Sequence, residues 1–280
     1  MPVLSKADLA FWEQHGYIVV PNAVPPENAA AAARALWDFA EMDSDDPASW
    51  YTDPPRATVM IEMYHHQALW DNRQSPRLHQ AFADIWETEK LWVSIDRTSI
   101  NPPSGPLFRH EGGLHWDIRL ELPIHFGVQG VLHLSDTPAH QGAFVCVPGF
   151  HHKIEDWIRR QLDGVDHPAE NPLSPVIPAQ DLGGEFEPVA VAAAAGDLII
   201  WHRALPHSHS PNMGERPRLA QYITMSPAPT ARTEKPHDRI KGWKELLTSN
   251  GPPKKAKENA TGRTAELTPL GRKLLGLDWW

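Results

Sequence analysis

His125-Phe126-Gly127-Val128-Gln129-Gly130-Val131-Leu132-His133-Leu134-Ser135-Asp136-Thr137-Pro138-Ala139-His140-Gln141-Gly142-Ala143-Phe144-Val145-Cys146-Val147-Pro148-Gly149 contains two short apolar runs, 125–134 and 143–147, with turn-forming residues between and after them. Each run has the length of a strand, and Asp, Pro and Gly bound it where a helix would need to continue. The same texture spreads outward through residues 91–100 on one side and 189–193, 197–202 and 219–225 on the other. Many short strands at irregular spacing, without intervening helical segments, predict antiparallel pairing rather than a βαβ sheet. The expected fold is mainly β with flanking helices, built on a double-stranded β-helix (jelly-roll) core over about 91–226.

Toward the N-terminus the texture becomes helical. Ser5 precedes an acid at Asp8 and the apolar Leu9, Phe11 and Trp12, and Gly16 then supplies a stop, so a short capped helix is predicted. Tyr17-Ile18-Val19-Val20 reads as a strand. Pro25-Pro26-Glu27 opens an alanine-rich helix that runs to Glu41. Residues 43–58 are rich in Asp, Pro and Ser and read as loop, whereas 76–89 place Leu78, Phe82, Ile85 and Trp86 near helical period. A helical layer over about 5–90 therefore precedes the core. Beyond it, 227–259 is a polar extension with a basic run at Lys254-Lys255-Ala256-Lys257, and 267–277 regains enough apolar character to dock back on the domain. One domain over 1–280 is expected.

Lys and Arg number 26 against 35 Asp and Glu, a formal net charge of -9, which lacks the basic excess that nucleic acid or an anionic membrane requires. Small molecules are the expected partners; oligomeric state has no signature. The single cysteine, Cys146, sits in an apolar run and reads as a buried thiol of a reducing compartment. With no apolar leader region and no long uncharged apolar stretch, a soluble cytoplasmic protein is expected.

His115-Trp116-Asp117 carries the chemistry. In an extended segment residues two apart share a face, so His115 and Asp117 are able to ligate one ion. A distant third ligand would complete two histidines and a carboxylate on one face of an octahedron, leaving positions open for a chelating co-substrate and O2. Near the end of the core, His202, His207 and His209 are all candidates, and periodicity does not separate them.

The ordered set His115-x-Asp117, Ser135-Asp136-Thr137-x-x-x-Gln141-Gly142-Ala143-x-x-x-Val147-Pro148-Gly149-x-His151 and His207-x-x-x-x-Asn212-x-x-x-x-x-Arg218 resembles the phytanoyl-CoA dioxygenase family of 2-oxoglutarate oxygenases, which includes ectoine hydroxylase. Phe11-Trp12-x-x-x-Gly16-Tyr17 resembles the opening of that family, so the likeness covers about 5–226. The resemblance implies His207 as the third iron ligand, Arg218 as the anchor of the co-substrate, and Asn101 and Gln129 as further co-substrate contacts. The residues agree on Arg218: it shares a strand face with Ala220 and Tyr222, and a guanidinium grips a carboxylate bidentately. Trp201 and Tyr222 match substrate-lining positions, and Arg119 and Glu121, on the face of the H-x-D segment, are expected to meet a polar substrate. His209 and Phe150 depart from the pattern, the first beside the co-substrate site.

The implied activity is that of an Fe(II)- and 2-oxoglutarate-dependent dioxygenase, which uses O2 to hydroxylate an unactivated C–H and releases succinate. Two rivals remain: a cupin-type metalloenzyme using His207 and His209 without 2-oxoglutarate, and a non-catalytic jelly-roll binding protein. Substrate choice is expected to rest on residues 43–75 and 159–187, which carry no readable motif.

Overall fold

The computed structural model describes residues 2–52, 56, 58–108, 113–162, 176–177, 186–229, 237–249, 252–258 and 263–280. Helix α1 (Lys6–His15) begins with a reciprocal capping box between Ser5 and Asp8, and ends where Gly16 turns left-handed at φ 75°. Strand β1 (Tyr17–Val20) and helix α2 (Pro26–Ala40) follow as the sequence predicts. After β2 (Met60–Ile61), helices α3 (Gln67–Arg73) and α4 (Pro76–Trp86) complete the helical layer. Helix α3 is absent from the sequence reading because it is short and capped by the ring of His66, which accepts the Ala68 N–H, instead of by one of the usual capping residues.

The strands that follow are β3 (Leu91–Val93), β4 (Thr98–Asn101), β5 (Leu114–His115), β6 (Val128–His133), β7 (Phe144–Cys146), β8 (Val176–Ile177), β9 (Val189–Val191), β10 (Leu198–His202), β11 (His207–His209), β12 (Arg218–Tyr222) and β13 (Met225–Pro227). Helix α5 (Ile154–Leu162) lies between β7 and β8, and α6 (His237–Glu245) and α7 (Pro269–Leu275) close the chain. The predicted runs 91–100 and 219–225 are each divided: β3 pairs with β13 in a separate ribbon, while β4 and β12 join the large sheet. Among the described residues 32% are helical and 22% are in strands, so the fold is mixed rather than mainly β as expected. The excess comes from α3, α5 and α6, helices that the sequence reading leaves unassigned, α5 although Ile154, Trp157 and Ile158 stand at helical spacing.

Two antiparallel sheets carry the site. The larger runs β1-β10-β6-β12-β4-β2, and the smaller β8-β5-β11-β7-β9. Strands β6 and β10, at the centre of the larger sheet, are buried on both faces, and the sequence of β10 accordingly reads as a continuous apolar run. Leu198, Ile200, Leu132 and Leu219 pack beneath α2, α3 and α4, whereas the alternating Ile199, Trp201, Val131 and Ala220 face Leu114, Phe144 and Cys146 of the smaller sheet. Burial pushes the Cys146 thiol pKa up, in keeping with an inert core residue.

The C-terminal segment docks as expected, with Leu274 and Leu275 fully buried in the helix-covered core. Lys254, Lys255 and Lys257 are exposed, but the adjacent Glu258 is buried and accepts the His65 backbone N–H at 2.8 Å. No helix among the described residues is long and apolar enough to cross a membrane.

Candidate metal centre

His115 and His207 are register partners on β5 and β11, so their side chains leave the smaller sheet on the same side with ring centroids 4.7 Å apart. Asp117 follows two residues after His115, beyond the end of β5. One ligand atom from each of His115, Asp117 and His207 falls within 4.8 Å of the other two, and they form the one such cluster of three among the described residues.

Backbone carbonyls set the histidine tautomers. His115 Nδ1 lies 2.8 Å from the Gly113 carbonyl oxygen and His207 Nδ1 lies 3.1 Å from that of Leu205. A carbonyl only accepts, so each Nδ1 carries the hydrogen and each Nε2 keeps its lone pair. Those bare nitrogens converge on a carboxylate: His207 Nε2 stands 3.2 Å and His115 Nε2 3.7 Å from the oxygens of Asp117. Three electron-rich atoms facing one another need a cation or added protons between them, and two imidazoles plus a carboxylate suit a divalent iron ion. Burial, aided by neighbouring His207, pushes the His115 pKa down and favours its neutral ligand form. For Asp117 burial acts upward, but the contact with His207 and a 2.7 Å hydrogen bond from the Gln129 amide outweigh it and hold the carboxyl well below the usual range. Gln129, expected to touch a co-substrate, here orients Asp117.

The cluster opens on a cavity of about 550 Å³, also lined by Gln129, His133, Phe144, Trp201, Arg218 and Tyr222. Trp201 and Tyr222 thus both line the cavity that the cluster opens on. Arg218 is only 3% exposed; its Nε donates to the Gly142 carbonyl at 3.0 Å and its Nη1 to Ser99 Oγ at 2.6 Å. No carboxylate among the described residues pairs with this guanidinium. A buried cation held only by neutral oxygens carries an uncompensated desolvation cost, which an anion entering the cavity would offset.

Asn101 is the register partner of Arg218 and is fully buried; its side chain leaves the sheet on the same side but packs against Gly142 and does not line the cavity. Gly142, at φ +66°, allows this: a Cβ there would stand 2.4 Å from Asn101 Nδ2. Gly142→Ala is expected to lower stability by about 1–3 kcal/mol through left-handed strain and displacement of Asn101. Urea denaturation checks this, and an unchanged midpoint and slope would contradict the close packing.

Arg119 and Glu121 do not reach the cavity, contrary to expectation. Both are exposed and border a surface depression with Leu122, His125 and Arg203. Strand β5 ends at His115, so the two-residue alternation that carries Asp117 onto the histidine face does not extend through irregular residues 116–127. Of the remaining histidine candidates, His209 lines the cavity outside the cluster, and His202 faces a different depression beside His151. Part of the loop before His115, residues 109–112, and most of the expected substrate loop, 163–175 and 178–185, lie outside the described residues.

Sequence reasoning missed Ser99 and His133. The signal for His133 was present, since it shares the alternation of Gln129 and Val131 on β6.

A family model described as phytanoyl-CoA dioxygenase matches residues 12–220. The chain belongs to the phytanoyl-CoA dioxygenase family. A family relative from Dictyostelium discoideum, named for phytanoyl-CoA dioxygenase, is 20% identical over 86% of this chain and 80% of its own length. The crystal structure of a hypothetical protein from Escherichia coli superposes with a TM-score of 0.74 at 17% identity, covering 98% of this chain and 82% of that one. The epimerase SnoN, crystallised with Fe3+, alpha-ketoglutarate and nogalamycin RO, superposes with a TM-score of 0.56 at 17% identity, covering 94% and 95% of the two chains. These likenesses show a fold shared across nearly the whole chain, the helical layer included.

Proposed function

We propose that this chain is a non-haem Fe(II) dioxygenase that consumes 2-oxoglutarate and O2 and hydroxylates an unactivated C–H of a small metabolite, on a core of the jelly-roll type. One observation carries the reading: a single cavity holds the His115–Asp117–His207 cluster together with a buried guanidinium, Arg218, that has no counter-ion among the described residues. Family membership and the likeness to SnoN, whose structure contains iron and alpha-ketoglutarate, support it.

His115, Asp117 and His207 would hold Fe(II), which with bound 2-oxoglutarate and O2 supplies the oxidant and releases succinate and CO2. The other residues position and exclude. Gln129 fixes the carboxylate of Asp117, and Arg218, braced by Ser99 and Gly142, receives the distal carboxylate of the co-substrate. Trp201 and Phe144, with ring centroids 4.6 Å apart, wall the histidine side with apolar surface that keeps bulk water away. At the mouth, Arg97 is already engaged by Glu62 at 3.1 Å and lies near Asp96 at 3.7 Å. Among the described residues, Arg97 and Arg218 are the arginines and lysines that line the cavity, which gives no sign there of the basic cluster that the phosphates of an acyl-CoA would want.

Anaerobic titration of the apoprotein with Fe(II) and 2-oxoglutarate tests the proposal. A weak visible charge-transfer band that requires both components is the expected result. Bound metal with no such band would remove 2-oxoglutarate from the reading and favour the cupin-type alternative.

A further inference from the structure

His133 sits at the inner end of β6, 1% exposed, and lines the same cavity as Arg218. Its register partner on β12 is Ala220, which also pairs with Ser99 on β4. His133, Ser99 and Arg218 therefore share the inward face of three adjacent strands. The outer edge of the ring is fixed: Nδ1 lies 3.0 Å from Thr137 Oγ1, and that hydroxyl lies 2.9 Å from the Ser135 carbonyl oxygen. The opposite nitrogen, Nε2, is buried without a hydrogen-bond partner.

A buried polar atom without a partner is costly, and here it lines the wall to which Arg218 belongs. Burial, together with the nearby charge of Arg218, lowers the His133 pKa to about 3, so the ring remains neutral at physiological pH. A neutral imidazole has one hydrogen to place. When the Thr137 hydroxyl donates to Ser135, that hydrogen is on Nδ1; when the hydroxyl rotates to donate to Nδ1, it moves to Nε2 and points into the cavity. The change reverses the His133–Thr137 hydrogen bond and gives up the one to the Ser135 carbonyl, which a ligand accepting from Nε2 would replace, and it creates no buried charge.

We propose that His133 is a second anchor for the distal carboxylate of 2-oxoglutarate, donating from Nε2 beside the Arg218 guanidinium in the tautomer whose bare Nδ1 accepts from the Thr137 hydroxyl. This rests on the function proposed above and adds a residue to it. A lone arginine reads mainly charge and planarity; a second donor on an adjacent strand also fixes the depth of the carboxylate, selecting a five-carbon diacid over shorter keto acids.

The test compares two ligands of Mn(II)-loaded protein, which binds without turnover: 2-oxoglutarate, and 2-oxobutyrate, which has the same keto-acid head and no distal carboxylate. His133→Ala is expected to weaken 2-oxoglutarate about ten- to a hundredfold, the loss of a hydrogen bond to a charged group. Its binding of 2-oxobutyrate should be unchanged. His133→Gln, which keeps a donor and the fold, should recover most of the 2-oxoglutarate affinity. In wild type, imidazole 15N spectra should show the His133 hydrogen moving from Nδ1 to Nε2 on addition of 2-oxoglutarate alone. Equal losses for both acids would reduce His133 to a structural role and overturn the proposal. So would unchanged 2-oxoglutarate binding in His133→Ala while Arg218→Ala loses it, an outcome that leaves the functional reading standing. If the metal-loaded wild type binds neither acid, both fall together.

Discussion

His207→Ala is expected to abolish Fe(II) binding at micromolar protein and, with it, all succinate formation. His207 is 5% exposed and its Nδ1 is held by Leu205, so its Nε2 is a fixed donor that no neighbouring side chain replaces. Removing a residue that merely orients a metal ligand costs about 10- to 100-fold in affinity, so loss of a ligand itself should exceed that range. His115→Ala should behave alike, because its Nδ1 is held in the same way by Gly113. His209→Ala is the informative control. Its ring lines the cavity, two residues further along β11, but lies outside the cluster, so metal affinity should survive. Equilibrium competition with a chromogenic chelator, under anaerobic conditions, measures all three. Should His209→Ala lose the metal as His207→Ala does, the cupin-type pairing of these two histidines would replace the assignment.

Much of this centre was legible because its residues obey short-range rules. The H-x-D pair follows from strand alternation, and the strand face of Arg218 agrees with the choice that the family resemblance implies. Selecting His207 among three histidines needed the family resemblance, since the choice depends on β11 pairing with β5, a contact between residues far apart in sequence. The same limit explains the errors. Arg119 and Glu121 were placed by extending an alternation past the end of β5, where no ladder enforces it. Asn101 is expected at the co-substrate, yet its side chain is turned against Gly142, a packing that only the missing Cβ of that glycine permits. His133 escaped because a histidine inside an apolar strand reads as a core residue until the cavity beside it is known. For the fold, apolar runs located the strands. The divisions between β3 and β4, and between β12 and β13, depend on which sheet each strand joins, and no local pattern marks that.

Arg218 carries the second large effect, and it separates function from stability. Arg218→Met should weaken 2-oxoglutarate binding to metal-loaded protein by about 30- to several-thousandfold, the range for truncating one partner of a buried charge pair. Arg218→Lys should recover little of this. A lysine has a single terminal nitrogen, whereas Arg218 spends Nε on Gly142 and Nη1 on Ser99 while still lining the cavity. The folded protein should tolerate the loss far better than the chemistry does. With no carboxylate beside it, the guanidinium is buried at a desolvation cost that its two neutral partners offset only in part; an apolar side chain of similar volume removes that cost and leaves Ser99 free to rotate toward another acceptor. Thermal unfolding of metal-free Arg218→Met should therefore show a midpoint no lower than wild type, alongside near-complete loss of co-substrate affinity. A large drop in stability would mean that Arg218 is held in place for the architecture of β4 and β12. Preserved stability with lost binding would mean that the protein keeps a buried, unpaired charge for the anion it is built to receive.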